Sequence, residues 1–138
     1  MSDHKDRITC HILDTTLGKP ARSVRVKLTL TSPTHPTNFP TPIVFESQTD
    51  EDGRIKSWLP YSSETASGEV PVYTLGDIFA NLEGTTRWTL SFDTETYFGG
   101  ADKTFFPEVV VVFTVAEGQR YHVPLLLAPY SYSTYRGS

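Results

Sequence analysis

A chain of 138 residues has room for one domain with a core of ordinary size. Its 38% hydrophobic and 20% charged residues are unlike a disordered chain, and 12 Lys and Arg against 16 Asp and Glu leave a net charge of -4, which works against nucleic-acid or anionic-membrane binding. The single cysteine, Cys10, excludes an intrachain disulfide and a multi-thiolate metal centre, and makes a reducing, intracellular setting the expectation.

Residues 1–7 read as a charged N-terminal tail without the apolar stretch of a secretion signal, so the protein is expected not to be secreted. From Ile8 onward the period is two. Ile8, Cys10 and Ile12 fall on one face of a first strand, and Thr9, His11 and Leu13 on the other. A turn at Leu17-Gly18-Lys19-Pro20 precedes the strict alternation of residues 24–30, in which Val24, Val26, Leu28 and Leu30 face one way. Thr31 to Pro42 carries four of the 10 prolines and is unfit for a sheet interior. The turn Asp50-Glu51-Asp52-Gly53 delivers Arg54 to a strand start. Ser62 to Glu69 is small and polar, a surface loop, and residues 73–82 have weak helical spacing in Leu75, Ile78, Phe79 and Leu82.

Residues 87–92 alternate again and bury Trp88, Leu90 and Phe92. Asp93 to Gly99 has the N-cap, acidic first turn and terminal glycine of a short helix. The β-branched run Val109–Val115 reads as a central strand covered on both faces. Residues 121–127 read as the final strand, with Pro124 demanding an edge position or a bulge. The apolar runs 109–113 and 123–128 are far below the ~20 residues that span a bilayer. Many short strands separated by turns give an all-β sandwich in a single domain, residues 8–138.

Of the four histidines, His4 and His35 sit in polar or proline-rich surroundings and read as solvated bystanders. His11 and His122 lie inside strands. Each is either a hydrogen-bonded structural residue or part of a wet cleft, because a buried imidazole without partners is costly. Together they would suit proton transfer near neutrality. Arg54 is either a solvated turn residue or a guanidinium fork for an oxyanion or a planar carbonyl ligand. The tail, with Tyr132, Tyr135, Arg136 and Ser138, either packs on the sandwich or another subunit, or places its terminal hydroxyl and carboxylate in a site. Cys10 points away from His11 and reads as a core residue.

Four segments in order resemble the 5-hydroxyisourate hydrolase family, transthyretin-like enzymes of purine catabolism. They are Thr9-Cys10-His11-Ile12-Leu13-Asp14-Thr15 with Gly18-Lys19-Pro20-Ala21; Thr49-Asp50-Glu51-Asp52-Gly53-Arg54; Phe92-Asp93-Thr94 with Tyr97-Phe98, leading into Phe105-Phe106-Pro107-Glu108-Val109; and the stretch from Tyr121-His122-Val123-Pro124 to Ser133-Thr134-Tyr135-Arg136-Gly137-Ser138. The resemblance implies a two-sheet sandwich of about eight strands with one short helix, assembled as a homotetramer, a dimer of dimers. It implies hydrolysis of 5-hydroxyisourate to 2-oxo-4-hydroxy-4-carboxy-5-ureidoimidazoline, with no cofactor and no metal. The carried-over site is His11, Arg54, His122 and Ser138, with Arg54, Ser138 and Tyr135 binding substrate, in a cytoplasmic or peroxisomal protein. The connections 31–42 and 62–84 are longer than the family's usual ones. The rival readings are a transthyretin-like carrier of a small aromatic ligand and an immunoglobulin-type sandwich; the latter lacks its Cys-Trp-Cys core here.

Overall fold

The computed structural model describes residues 5–32, 43–61 and 73–137, so His4, His35, Ser138 and most of the two long connections lie outside the described residues. Ten strands and two short helices follow in the order β1 (Ile8–Asp14), β2 (Lys19–Pro20), β3 (Arg25–Ser32), β4 (Val44–Gln48), β5 (Arg54–Ile55), β6 (Leu59–Pro60), α1 (Leu75–Ala80), β7 (Thr86–Phe92), α2 (Thr94–Phe98), β8 (Val109–Val115), β9 (Tyr121–Ala128) and β10 (Ser131–Thr134). One sheet runs β10-β9-β1-β2, with β5 also paired to β1; the other runs β6-β4-β3-β7-β8. The expected sandwich is therefore present, with a second helix, α1, in the longer connection.

The alternation read from the sequence decides which side of each strand faces inward. Ile8, Cys10 and Ile12 of β1 and Val123, Leu125 and Leu127 of β9 meet Val26, Leu28 and Leu30 of β3 and Trp88, Leu90 and Phe92 of β7 in one buried core. The indole N–H groups, which must find acceptors when buried, donate to nearby oxygens: Trp88 to Thr86 Oγ1 at 2.8 Å and Trp58 to the Ile8 carbonyl at 2.8 Å. Both helices are held by their caps. Thr74 and Asp77 form a reciprocal capping box on α1, while Asp93 caps α2, which ends at Gly99 with φ 96°.

Two expectations are corrected. Val109–Val115 is not a central strand: β8 is the last strand of its sheet, and Val110 and Val112 are 49% and 56% exposed. β-branching signals a strand, but a run of valines does not say how many neighbours that strand has. Conversely, Pro124 lies on an interior strand, and β9 is followed by one more. The β9–β10 ladder pairs as far as Leu125 with Thr134 and resumes, in the same register, at His122 with Gly137. The gap contains Pro124, which has no N–H to offer, and the Thr134 hydroxyl donates to its carbonyl at 2.7 Å. A lapse in the ladder accommodates the proline without a bulge or an edge.

Candidate active site

β1 is flanked by β5 on one side and β9 on the other, and this order brings the sequence-predicted residues together. His11 is paired with Arg54 in the antiparallel β1–β5 ladder, and Thr9 with His122 in the parallel β1–β9 ladder. Paired residues project to the same side of a sheet, and Thr9 and His11, two apart, share the face opposite the core. The His11 and His122 rings consequently lie 6.4 Å apart between centroids, with planes inclined by 32°.

Arg54 reaches this position because of the turn before it. Asp50 Oδ1 accepts from the N–H groups of Asp52 and Arg54, both at 2.9 Å, and the Gly53 N–H donates to the Asp50 carbonyl at 3.0 Å. The Gly53 carbonyl then accepts from the Ile12 N–H at 2.7 Å, docking the turn on β1. Gly53 has φ +74°, and a Cβ there would lie 2.5 Å from the Ile12 carbonyl oxygen, so only glycine permits the approach.

His122 is held on two sides. Its Nδ1 lies 2.8 Å from Thr9 Oγ1, and the backbone of Gly137 closes over the ring, donating its N–H to the His122 carbonyl at 2.8 Å. A Cβ at Gly137 would meet His122 Cδ2 at 2.7 Å. The tail is thus fastened beside His122 up to the residue before Ser138. Sequence reasoning left Thr9 aside, although its position two residues before His11 was the available signal.

The electrostatics of the two histidines differ. Both are pushed below the ordinary imidazole value, first by burial and then by the Arg54 guanidinium. For His11 a hydrogen bond to the backbone of Asp52 and the carboxylates of Asp50 and Asp52 oppose that shift. For His122 the remaining causes, His11 and Lys5, add to it. Both imidazoles are therefore held neutral by their surroundings, and only His11 has nearby carboxylates that work against that shift.

Arg54 and His122 open on a cavity of about 320 Å³ that Thr9, Tyr121, Lys5, Lys56 and Arg120 also line. Tyr135 does not share it. It lines a second cavity of about 390 Å³ with Val111, Phe113, Thr134 and Arg136, to which Tyr121 and His122 also contribute. The Arg136 guanidinium stacks on the Tyr121 ring at 4.6 Å from its centroid. The fold therefore brings His11, Arg54 and His122 together, places Tyr135 with His122 at the second cavity and not with Arg54 at the first, and leaves Ser138 outside the described residues. Two imidazoles and a guanidinium grouped at an open cavity, which Arg54 and His122 line and beside which His11 lies on the same face, can move protons to and from a water and hold a developing oxyanion.

The model of the HIUase/Transthyretin family matches residues 8–137. A 5-hydroxyisourate hydrolase of Deinococcus radiodurans is 38% identical over 143 residues, with 100% of each chain covered. The probable 5-hydroxyisourate hydrolase of Schizosaccharomyces pombe is 37% identical over 134 residues, 95% of this chain and 90% of the relative. Among solved structures, the 5-hydroxyisourate hydrolase of Klebsiella pneumoniae superposes with a TM-score of 0.60 at 27% identity, over 95% of this chain and 98% of that one.

Proposed function

The chain belongs to the HIUase/transthyretin family, and from that premise we propose that it is a hydrolase that opens the ring of 5-hydroxyisourate in urate degradation. The observation that carries the reading is the convergence of the His11 and His122 rings, 6.4 Å apart, with Arg54 on one face of a sheet. A carrier of a small apolar ligand would have no use for it.

Hydrolysis of the ring amide proceeds in balance. The water oxygen bonds to the carbonyl carbon, the carbon–nitrogen bond breaks, nitrogen takes one of the water's protons, and the new acid gives the other to solvent and leaves as a carboxylate. His122 is the base: in the tautomer that carries its proton on Nδ1, that N–H donates to Thr9 Oγ1, 2.8 Å away, and the Nε2 lone pair is left for the water. His11 shares the transfers, passing to the leaving nitrogen the proton that His122 takes from the water; Asp50 and Asp52 favour a proton on it while burial and Arg54 oppose one, so it too starts neutral. Arg54 binds the heterocycle and holds the oxyanion that forms on the carbonyl. Ser138, through its hydroxyl, orients substrate or water, while Tyr135 contributes to binding from the side of the tail. The active unit is a homotetramer, a dimer of dimers; the unpaired edges of β8 and β10, with the exposed Val110 and Val112 on the former, are surfaces that association would cover.

The test is the decay of freshly made 5-hydroxyisourate, followed by ultraviolet absorbance with and without the protein. The wild type accelerates the decay, and His122→Asn lowers kcat by about 10²–10⁴-fold, the range of a lost general base. Near-normal turnover in that variant would refute the assignment.

A further inference from the structure

The cavity beside Arg54 and His122 carries more positive charge than the reaction chemistry above uses. In a chain of net charge -4 it is lined by Lys5, Arg7, Arg54, Lys56 and Arg120, against the carboxylate of Asp6. Arg7 is engaged elsewhere, its guanidinium 5.4 Å from the centroid of the Phe79 ring on α1. Arg54 is taken by the oxyanion. That leaves Lys5, Lys56 and Arg120.

The backbone holds these three around the cavity mouth. Segment 5–7 lies between the start of β9 and the chain following β5: the Asp6 N–H donates to the Lys56 carbonyl at 2.8 Å and the Tyr121 N–H to the Arg7 carbonyl at 2.6 Å. The Asp6 carboxylate accepts from the Trp58 N–H at 2.9 Å, and Arg120 Nη1 donates to the Lys5 carbonyl at 3.0 Å. Three separate stretches of chain are thus tied together with their cations at one opening, and an opening lined by one sign of charge concentrates the opposite ion.

We propose that Lys5, Lys56 and Arg120 form an anion-binding rim that recognises a carboxylate on a planar nitrogen heterocycle, the group that ring opening creates. The assignment of the ligand rests on the hydrolase reading. Opening an amide ring adds one negative charge at the carbonyl carbon, within reach of the cavity that Arg54 lines. The rim holds that charge as it separates from Arg54 and draws anionic heterocycles in from solution. Its groups touch the substrate's charge and not the reacting atoms, so they set kcat/KM and product affinity and leave kcat nearly unchanged.

The experiment compares orotate with uracil, the same ring with and without a carboxylate, by titration calorimetry on the full-length wild type and on Lys5→Gln/Lys56→Gln/Arg120→Gln. Orotate binds the wild type more tightly than uracil. The triple variant loses about tenfold in orotate affinity, and uracil binding does not change. In the hydrolysis assay Lys56→Gln/Arg120→Gln, which spares Lys5 beside His122, loses severalfold in kcat/KM at low ionic strength, with kcat within about twofold, and salt closes the gap as it screens the rim. A Lys56→Arg variant, which keeps the charge, behaves as wild type and shows that charge is what matters. Equal affinity of the wild type for orotate and uracil, or undiminished orotate binding by the triple variant, overturns the rim. Failure of the wild type to hydrolyse 5-hydroxyisourate, with orotate still bound through the rim, overturns the reaction assignment instead.

Discussion

The two sheets each carry a cavity of nearly equal size, about 320 Å³ beside Arg54 and His122 and about 340 Å³ beside Arg25 and Lys27. The second is lined by Arg25, Lys27, Glu46, Asp93 and Glu108, and three of these groups, Lys27, Asp93 and Glu108, are engaged with neighbouring residues of the fold. Lys27 Nζ sits 4.2 Å from the Tyr61 ring centroid, the Ser91 hydroxyl donates to Glu108, and the Asp93 carboxylate caps α2. The first holds an excess of cations and an imidazole, His122, whose surroundings keep it uncharged. Volume is therefore a poor guide to chemistry. What distinguishes a site is charge left unbalanced and a titratable group held off its ordinary value.

Substitutions in the two regions sharpen that contrast. The largest expected loss after His122 is at Arg54: Arg54→Gln removes the oxyanion donor and lowers kcat/KM by about 10²–10³-fold, measured by the same absorbance assay. The variant also tests the electrostatics. Arg54 helps depress both histidines, so neutral imidazole persists in the wild type to pH values below the ordinary ~6.5, and the acid limb of kcat/KM lies below that point. Without the guanidinium the residual activity has its acid limb moved upward. A limb that stays in place would separate Arg54 from the histidines.

Gly137→Ala comes next. Its Cβ meets the His122 ring at 2.7 Å, so ring or tail must shift, and a displacement on the order of 1 Å costs roughly 10²-fold in turnover. Unchanged kcat would mean that the tail does not position His122. A smaller effect is expected from Thr9→Val, which removes the partner of His122 Nδ1 but leaves the ring in place. Loss of one hydrogen bond worth about 1 kcal/mol lowers kcat roughly fivefold with KM unchanged, and Thr9→Ser restores it. The smallest effect belongs to the other cavity: Lys27→Ala should leave kcat/KM within about twofold, as expected for a surface substitution away from the chemistry. A larger loss there would break the comparison.

The legible part of the fold was local. Alternation over residues 8–13, 24–30 and 87–92 placed the core-facing side chains correctly, because a strand's period of two ties burial to parity wherever one face is buried. The caps announced α2, whereas the weak spacing near Ile78 and Phe79 only hinted at α1, and a single helix was expected. The misread strands, β8 and β9, failed for a shared reason: a strand's position in its sheet depends on which segments lie beside it, and composition carries no record of its neighbours.

The candidate site divides along the same line. Parity alone put Thr9 and His11 on the face away from the core, and the Asp50–Gly53 turn by itself specified a tight loop ending in Arg54. That His122, 111 positions beyond His11, completes the group depended on β1 lying between β5 and β9 with the registers His11 to Arg54 and Thr9 to His122. Each register is a long-range pairing stabilised by burial of the opposite face, and a slip of one residue would have turned the imidazole of His122 into the core. Local pattern determined which residues could do chemistry, and only the packed sheet decided that they do it together.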